Sequence, residues 1–389
     1  MQPHIIGWAH TRFGKQPEET LESLIATVAR DALADAGLAA ADMDAIYLAT
    51  FNGGLSQQTF PSSLVLQADP AFRFKPVTRV ENACATGSAA VHQAANLVEA
   101  GRARFVLVIG AEKMTHVGSA EVGRNLLRAA YQPEEHDIEG GFAGMFAKMA
   151  EAYFARFGDQ SEALARIAVK AHRNGAGNPL AHFIRPLDLD FCRMVSEGNP
   201  IVAGRLKRSD CSPVSDGAAA LVLTDERTAQ SLAKSVALRG RAHVNDFLPL
   251  SRRDISSMEG ASRAWRQVLL EAGLRLDDLD LVETHDCFTI AELMEYEAMG
   301  LTDPGQGFRA IIEGWTEKDG RLPVNPSGGL KAKGHPIGAT GVSMHVAAAS
   351  QVRGEAVGET QVPGASLAGI FNMGGAGVVH YATIVEAVR

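Results

Sequence analysis

Three distant loops of this 389-residue chain carry side chains that could attack a carbon or exchange a proton. The first holds Cys84, within Glu81-Asn82-Ala83-Cys84-Ala85-Thr86-Gly87-Ser88. A β-leaning run, Pro76 to Val80, precedes it, and Gly87 to Ala100 reads as an alanine-rich helix. The thiol is thus expected at a strand-to-helix turn. Orphan N–H groups and the helix dipole there favour an anion and lower a thiol's pKa. An activated nucleophile fits that setting; a small buried structural cysteine fits it too. The second loop is His285-Asp286-Cys287-Phe288, after a predicted strand, where open α/β sheets bind ligands. Its histidine and cysteine are two proton-exchanging groups, although a turn in which Asp286 caps the next helix also accounts for it. The third loop holds His335, fixed between Gly334 and Pro336 and a candidate base for a thiol. Its glycine-rich stretch, Asn325 to Gly341, lacks the Gly-Lys-Ser/Thr ending of a P-loop. A further run, Asn372 to Gly377, could hold an oxyanion through backbone N–H groups, or be an ordinary glycine turn.

The elements that must position these loops alternate. Strands are predicted from Ile5, over Ala45–Thr50 and over Phe105–Gly110, and a helix over Thr20–Gly37 with apolar residues at helical spacing. Ser215 to Leu223 reads as a turn and a buried strand. The C-terminal half repeats the pattern, with a helix over Ala261–Gly273 and a strand over Leu279–Glu283. Thr289-Ile290-Ala291-Glu292 reads as a capping box opening a helix. A helix over Gly341–Val352 and strands over Leu367–Phe371 and Val378–Val385 follow. Such alternation predicts an α/β fold with a mostly parallel sheet, in two similar halves. Between Lys113 and Arg208 denser charge and Gly/Pro/Asn punctuation predict an insertion of helices and loops.

Composition narrows the function. A net charge of −8 argues against a non-specific binder of nucleic acid or anionic membrane. No apolar run approaches the ~20 residues that span a bilayer, and no basic, apolar leader opens the chain. The 4 cysteines show neither paired nor metal-ligand spacing, which suits a reducing cytoplasm.

Taken in order, the stretches resemble the thiolases. They are Ile6-Gly7 with Thr11-Arg12-Phe13-Gly14-Lys15, the Cys84 run, Ser215-Asp216-Gly217-Ala218-Ala219, His285-Asp286-Cys287-Phe288, and Gly334-His335-Pro336-Ile337-Gly338-Ala339-Thr340-Gly341. His-Asp-Cys-Phe, in place of Asn-Glu-Ala-Phe, resembles the sterol-carrier-protein type, as does the run from Val169 to Phe183. The resemblance implies a five-layered α-β-α-β-α sandwich of two similar halves. Residues 1–112 and 209–226 would form the N-terminal half, 113–208 an inserted loop domain and 227–389 the C-terminal half. It implies an acetyl-CoA acetyltransferase-like enzyme that cleaves or forms 3-oxoacyl-CoA. Coenzyme A would be co-substrate, with no metal and no permanently bound cofactor, in a homodimer or homotetramer.

By the same resemblance Cys84 is the acylated nucleophile and His335 its base. His285 and His335 form the oxyanion hole for the thioester oxygen, and Gly374 and the Cys84 N–H a second one. Common thiolases carry a Cys-x-Gly acid/base motif where this chain reads Asn372-Met373-Gly374. Cys287 would take over that role. Ser212 loosely matches a serine that contacts coenzyme A. Relatives of this type also act as carbon–carbon lyases or transfer acyl groups to non-CoA acceptors, several with an OB-fold partner protein. Retention of Cys84, His285, Cys287 and His335 favours thiolysis.

Overall fold

The computed structural model describes residues 2–388. The chain opens with β1 (Pro3–His10), α1 (Leu21–Ala36), β2 (Ala45–Ala49), β3 (Val77–Val80), α2 (Thr86–Glu99) and β4 (Phe105–Glu112). A mostly helical stretch follows: α3 (Ser119–Leu127), α4 (Gln132–Glu135), α5 (Phe142–Phe157), α6 (Ser161–Ala176) and α7 (Leu189–Arg193). A small hairpin, β5 (Ile201–Ala203) and β6 (Leu206–Lys207), closes it. Then come β7 (Gly217–Asp225), α8 (Glu226–Ala229), β8 (Val236–Asn245), α9 (Glu259–Ala272) and β9 (Leu281–Glu283). The chain ends with α10 (Thr289–Ala298), α11 (Gly307–Ile312), α12 (Ile337–Val352), β10 (Leu367–Gly374) and β11 (Val379–Ala387).

The main strands run in the order β3-β2-β4-β7-β1-β8-β11-β10-β9. The expected mostly parallel sheet is instead mixed: β3-β2-β4 and β10-β9 pair parallel, and β4-β7-β1-β8-β11-β10 pair antiparallel. A short antiparallel contact, His4 and Ile5 against Ala237 and Val236, joins the N-terminal strands to the C-terminal ones. Helix α1 packs on β1, β4 and β7, and α9 packs on β8 and β11. Between the two groups of strands lie α2 and α12, in contact with each other. The result is the five-layered α/β sandwich. Helix α12 is fit for the central layer because it carries no Asp, Glu, Lys or Arg and is rich in small and apolar residues; every residue of it but Ala347 is buried. Strand β4 is buried along its length, as a strand covered on both faces must be.

Glycines set the central spacing. A Cβ on Gly87 of α2 would stand 2.6 Å from the Val342 nitrogen of α12, and one on Gly341 would stand 2.1 Å from the Ser88 nitrogen. The two helices therefore cross backbone to backbone, and this brings the Cys84 and His335 loops together.

Several local expectations change. Helix α12 starts at Ile337, directly after Pro336, four residues before the expected Gly341. The glycine-rich stretch ahead of it contains a π-helical turn, Gly329–Lys333, and is buried. The capping box at Thr289 does not form: Phe288 is the N-cap, with no side-chain cap. Thr289 instead donates to Asp210 (2.9 Å), and Glu292 pairs with Lys170 inside the protein. Asn372 to Gly374 belong to strand β10 rather than to a turn after it.

Asp216 ties the start of the chain to both sides of the helical stretch. Its carboxylate pairs with Lys113 (2.7 Å) and accepts from the Met114 (2.7 Å), Thr115 (2.8 Å) and Gln16 (3.2 Å) amides. An Asp216→Ala protein would leave a buried, unpaired lysine. It is expected to lose about 3–5 kcal/mol of stability, measured by denaturant unfolding; a loss below about 1 kcal/mol would contradict this role.

Candidate active site

Strand β3 ends at Val80, and the backbone then turns sharply so that Cys84 stands just ahead of α2. Ala83 takes a left-handed conformation, φ 49°, which an alanine adopts only under constraint. The constraints are visible. The Ala83 N–H donates to Glu81 (2.6 Å), the Thr86 hydroxyl donates to the Ala83 carbonyl (2.5 Å), and the Asn82 N–H donates to that hydroxyl (2.8 Å).

His285 and Cys287 follow β9, at its carboxyl end. Asn325 holds this loop by accepting from the Thr284 N–H (2.8 Å). Asp286 does not cap α10. Its carboxylate turns the other way and accepts from the Leu330 (2.6 Å) and Lys331 (3.2 Å) amides. It thereby clamps the His285 loop to the stretch that leads into His335. Gly329 is required there, because a Cβ would stand 2.2 Å from the Asp286 carboxylate. Glu112 fixes the other side of the His335 loop, accepting from the Gly338 (2.9 Å) and Phe51 (2.8 Å) amides.

One ligand-type atom each from Cys84, His285 and His335 lie within 4.8 Å of one another, all from buried residues. The two imidazoles meet edge to face, ring centres 5.2 Å apart and planes at 85°. Their second nitrogens are held differently. His335 Nδ1 meets the Thr340 hydroxyl (2.7 Å), whose own proton goes to the Pro336 carbonyl (2.9 Å). The hydroxyl can then only accept, so Nδ1 carries the proton and Nε2 keeps a lone pair. His285 Nδ1 meets the Asn372 amide nitrogen (2.8 Å), which also donates to the Cys84 carbonyl (3.2 Å). Nδ1 must therefore accept, and Nε2–H is the donor. It is buried, and has no partner among the described residues. The site thus contains one bare nitrogen and one N–H.

Cys84, Cys287 and His335 line a cavity of about 260 Å³. Its walls are largely apolar, with Met114, Val122, Leu126 and Phe142 supplied by the 113–208 stretch and Phe51 and Ile337 by the sandwich. Ser212 also lines it, and its N–H donates to the Cys287 carbonyl (2.9 Å). Gly374 lies against the nucleophile turn, where a Cβ would stand 2.5 Å from the Asn82 carbonyl. The amides that reach the Cys84 sulfur are those of Gly375 and of Cys84 itself. Sequence reasoning missed the roles of Asn372, Thr340 and Asp286. Only the amide side chain standing in place of a family cysteine hinted at the first.

The electrostatics correct one expectation. A helix N-terminus favours an anion by at most ~2 kcal/mol, and a thiolate stripped of water costs more. Burial wins and pushes the Cys84 thiol up to about 12, against the Gly375 hydrogen bond. Burial, then Cys84 itself, also pushes Cys287 up. Burial also takes His335 down to about 3, and burial and His335 take His285 well below the usual imidazole range. At neutral pH the resting site therefore holds uncharged thiols and uncharged imidazoles.

Residues 4–187 match the family "Thiolase, N-terminal domain", and residues 242–387 match "Thiolase C-terminal domain-like". An acetyl-CoA acetyltransferase of Methanothermobacter thermautotrophicus is 37% identical over 96% of this chain and 96% of its own. Human sterol carrier protein 2 is 35% identical over 78% of this chain, which spans 57% of that longer protein. Among solved structures, an "Ltp2-ChsH2(DUF35) aldolase" has a TM-score of 0.83 at 25% identity, covering 100% of this chain and 98% of that one. A monomeric SCP2-thiolase-like protein of Mycobacterium smegmatis shares the fold, with a TM-score of 0.75 at 20% identity over 99% of this chain and 77% of that one. No helix among the described residues is long and apolar enough to cross a membrane. With both thiolase domains in order and a relative of this identity over nearly its whole length, the chain belongs to the thiolase family, in its sterol-carrier-protein-type branch, and is an acyltransferase.

Proposed function

We propose that the chain cleaves and forms 3-oxoacyl-CoA by Claisen chemistry through an acyl group on Cys84, with coenzyme A as co-substrate. One observation carries this reading: a bare His335 nitrogen and a His285 N–H stand beside the same thiol, one fit to take its proton and the other to donate to an oxyanion.

In the degradative direction His335 Nε2 takes the Cys84 proton as the sulfur attacks the 3-keto carbon. N–H groups of Cys84, of Gly374 at the end of β10 and of Gly375 after it hold the resulting oxyanion. The carbon–carbon bond then breaks and leaves the enolate of acetyl-CoA. His285 Nε2–H and the proton now on His335 hold its oxygen, at ~3 kcal/mol per donor. Cys287 gives its proton to the enolate carbon. His335 returns its proton to the Cys287 thiolate, then takes the thiol proton of incoming coenzyme A, near Ser212, as that sulfur attacks the acyl carbon, and gives it to the Cys84 sulfur as it leaves. The cavity exceeds the ~150 Å³ that accepts a benzene molecule, so an acyl group larger than acetyl fits within its 260 Å³.

A second reading is carbon–carbon lyase activity, or acyl transfer to a non-CoA acceptor, together with an OB-fold partner. The similarity to the Ltp2-ChsH2(DUF35) aldolase, whose name joins two proteins, favours it. The presence of Cys84 beside a bare imidazole nitrogen favours thiolysis, since a lyase needs no nucleophile. Homodimers or homotetramers are part of the first reading, and light scattering measures them. A series of 3-oxoacyl-CoA thioesters, assayed for coenzyme A consumption, tests the two readings. Stoichiometric consumption with two thioester products is expected; cleavage without consumption would contradict thiolysis.

The pH profile follows from the two shifted groups. His335 is a competent base at every pH above about 3, and Cys84 keeps its proton up to about 12. The kcat/KM for a 3-oxoacyl-CoA should therefore be level from about pH 5 to 9. An acid limb near the ordinary imidazole value of about 6.5 would contradict it.

A further inference from the structure

Zinc and other thiophilic ions are held by thiolate sulfur and by imidazole lone pairs. Among the described residues, Cys84, His285 and His335 are the one group of buried ligand-type atoms close enough for this, within 4.8 Å of one another. An ion there would occupy the nucleophile. Whether the trio accepts one depends on the far nitrogen of each ring. A metal-ligating histidine donates its other N–H to an acceptor, and this leaves the lone pair facing the metal. His335 is arranged so, through Thr340 (2.7 Å). His285 is arranged the opposite way, accepting from Asn372 (2.8 Å). Turning the Asn372 amide over would set its oxygen against the Cys84 carbonyl, to which its nitrogen now donates (3.2 Å). The amide is held in place, and His285 Nε2 keeps a proton where a metal needs a lone pair.

We propose that Asn372 locks His285 in the tautomer that donates into the site, and thereby keeps the Cys84–His285–His335 trio closed to zinc-like ions. It is a positioning residue that acts through His285 and does not line the cavity. The donor's part in catalysis rests on the proposed acyl transfer; the closure to metal rests on the hydrogen bonds alone.

The shape-conserving change Asn372→Asp reverses the bond. A carboxylate accepts the His285 Nδ1–H and exposes the Nε2 lone pair, an arrangement found at zinc sites. Zinc affinity is read by competition with a chromophoric chelator, without substrate. The Asn372→Asp protein should bind one zinc ion about 10- to 100-fold tighter than the unaltered protein, and lose that site when Cys84→Ala is added. Equal affinity of the two proteins, with circular dichroism showing a native fold, would overturn the proposal. So would a tight, Cys84-dependent zinc site in the unaltered protein. If Asn372→Asp does not fold, 15N spectra of the unaltered protein decide, with His285 assigned by the signals lost in His285→Gln. Protonated Nε2 and bare Nδ1 support the lock; the reverse or a mixture overturns it.

Discussion

A Cys84→Ala protein is expected to lose thiolysis by about 10⁴- to 10⁶-fold, the scale on which removal of a covalent nucleophile acts. No other sulfur takes its place. Cys287 is also held away from ionisation, by burial first and then by Cys84 itself. The Cys211 thiol also lines the cavity, but it donates to the Lys207 carbonyl (3.5 Å) and is pushed up to about 12 by burial and Asp210. The loss should fall on kcat, since cavity walls, histidines and acyl contacts stay in place. Alanine fits without strain in a turn already built of small residues, so the melting temperature should hardly change. The check is kcat and KM for a 3-oxoacyl-CoA beside a thermal scan. A fall of less than tenfold would rule out the covalent route.

Cys287→Ala should give the next largest effect, and a selective one. Cys287 stands at the cavity with Cys84, on the loop that Asp286 clamps in place. Its proposed work is confined to moving a proton to and from carbon, a task worth about 10²- to 10⁴-fold. Acyl uptake by Cys84 from an acyl-CoA needs His335 and the oxyanion donors but no carbon acid. The variant should therefore take up an acyl group at nearly the unaltered rate. It should also lose solvent deuterium exchange at the acetyl-CoA methyl by two orders of magnitude or more. Nuclear magnetic resonance of acetyl-CoA in D₂O with enzyme measures this. Exchange at the full rate would assign the proton transfer to a different group.

Much of the site was legible before any coordinate. The reactive types sit in short runs whose local context, strand end or Gly/Pro frame, is itself a sequence property. Cys84, His285, Cys287 and His335 do converge: Gly87 and Gly341 let α2 and α12 touch backbone to backbone, and Asp286 clamps the His285–Cys287 loop to the stretch before His335. What the residues do electrically was not legible. The expected fall in the Cys84 pKa rested on local geometry, the helix N-terminus, and that geometry is present. Burial is a property of the whole fold, and it has the opposite and larger effect. Tautomers escaped for a related reason. They are set by Thr340, five residues after His335, and by Asn372, 87 residues after its partner. A lone Asn-Met-Gly reads as a turn, and only the pairing of β10 with β11 shows it as strand. The Thr289 capping box failed because Asp210 and Lys170, both distant in sequence, compete for its two side chains. Strand β8, unforeseen, carries arginines and a histidine that blur its alternation.

The central claim is that the acyl group passes through Cys84 sulfur. Peptide-level mass spectrometry, after brief incubation with acetyl-CoA and an acid quench, tests it most directly. The mass of one acetyl group, about 42 Da, should appear on the peptide containing Cys84, vanish on addition of free coenzyme A, and never form in the Cys84→Ala protein. An unmodified Cys84 peptide during active turnover, or the label on another residue, would contradict the account.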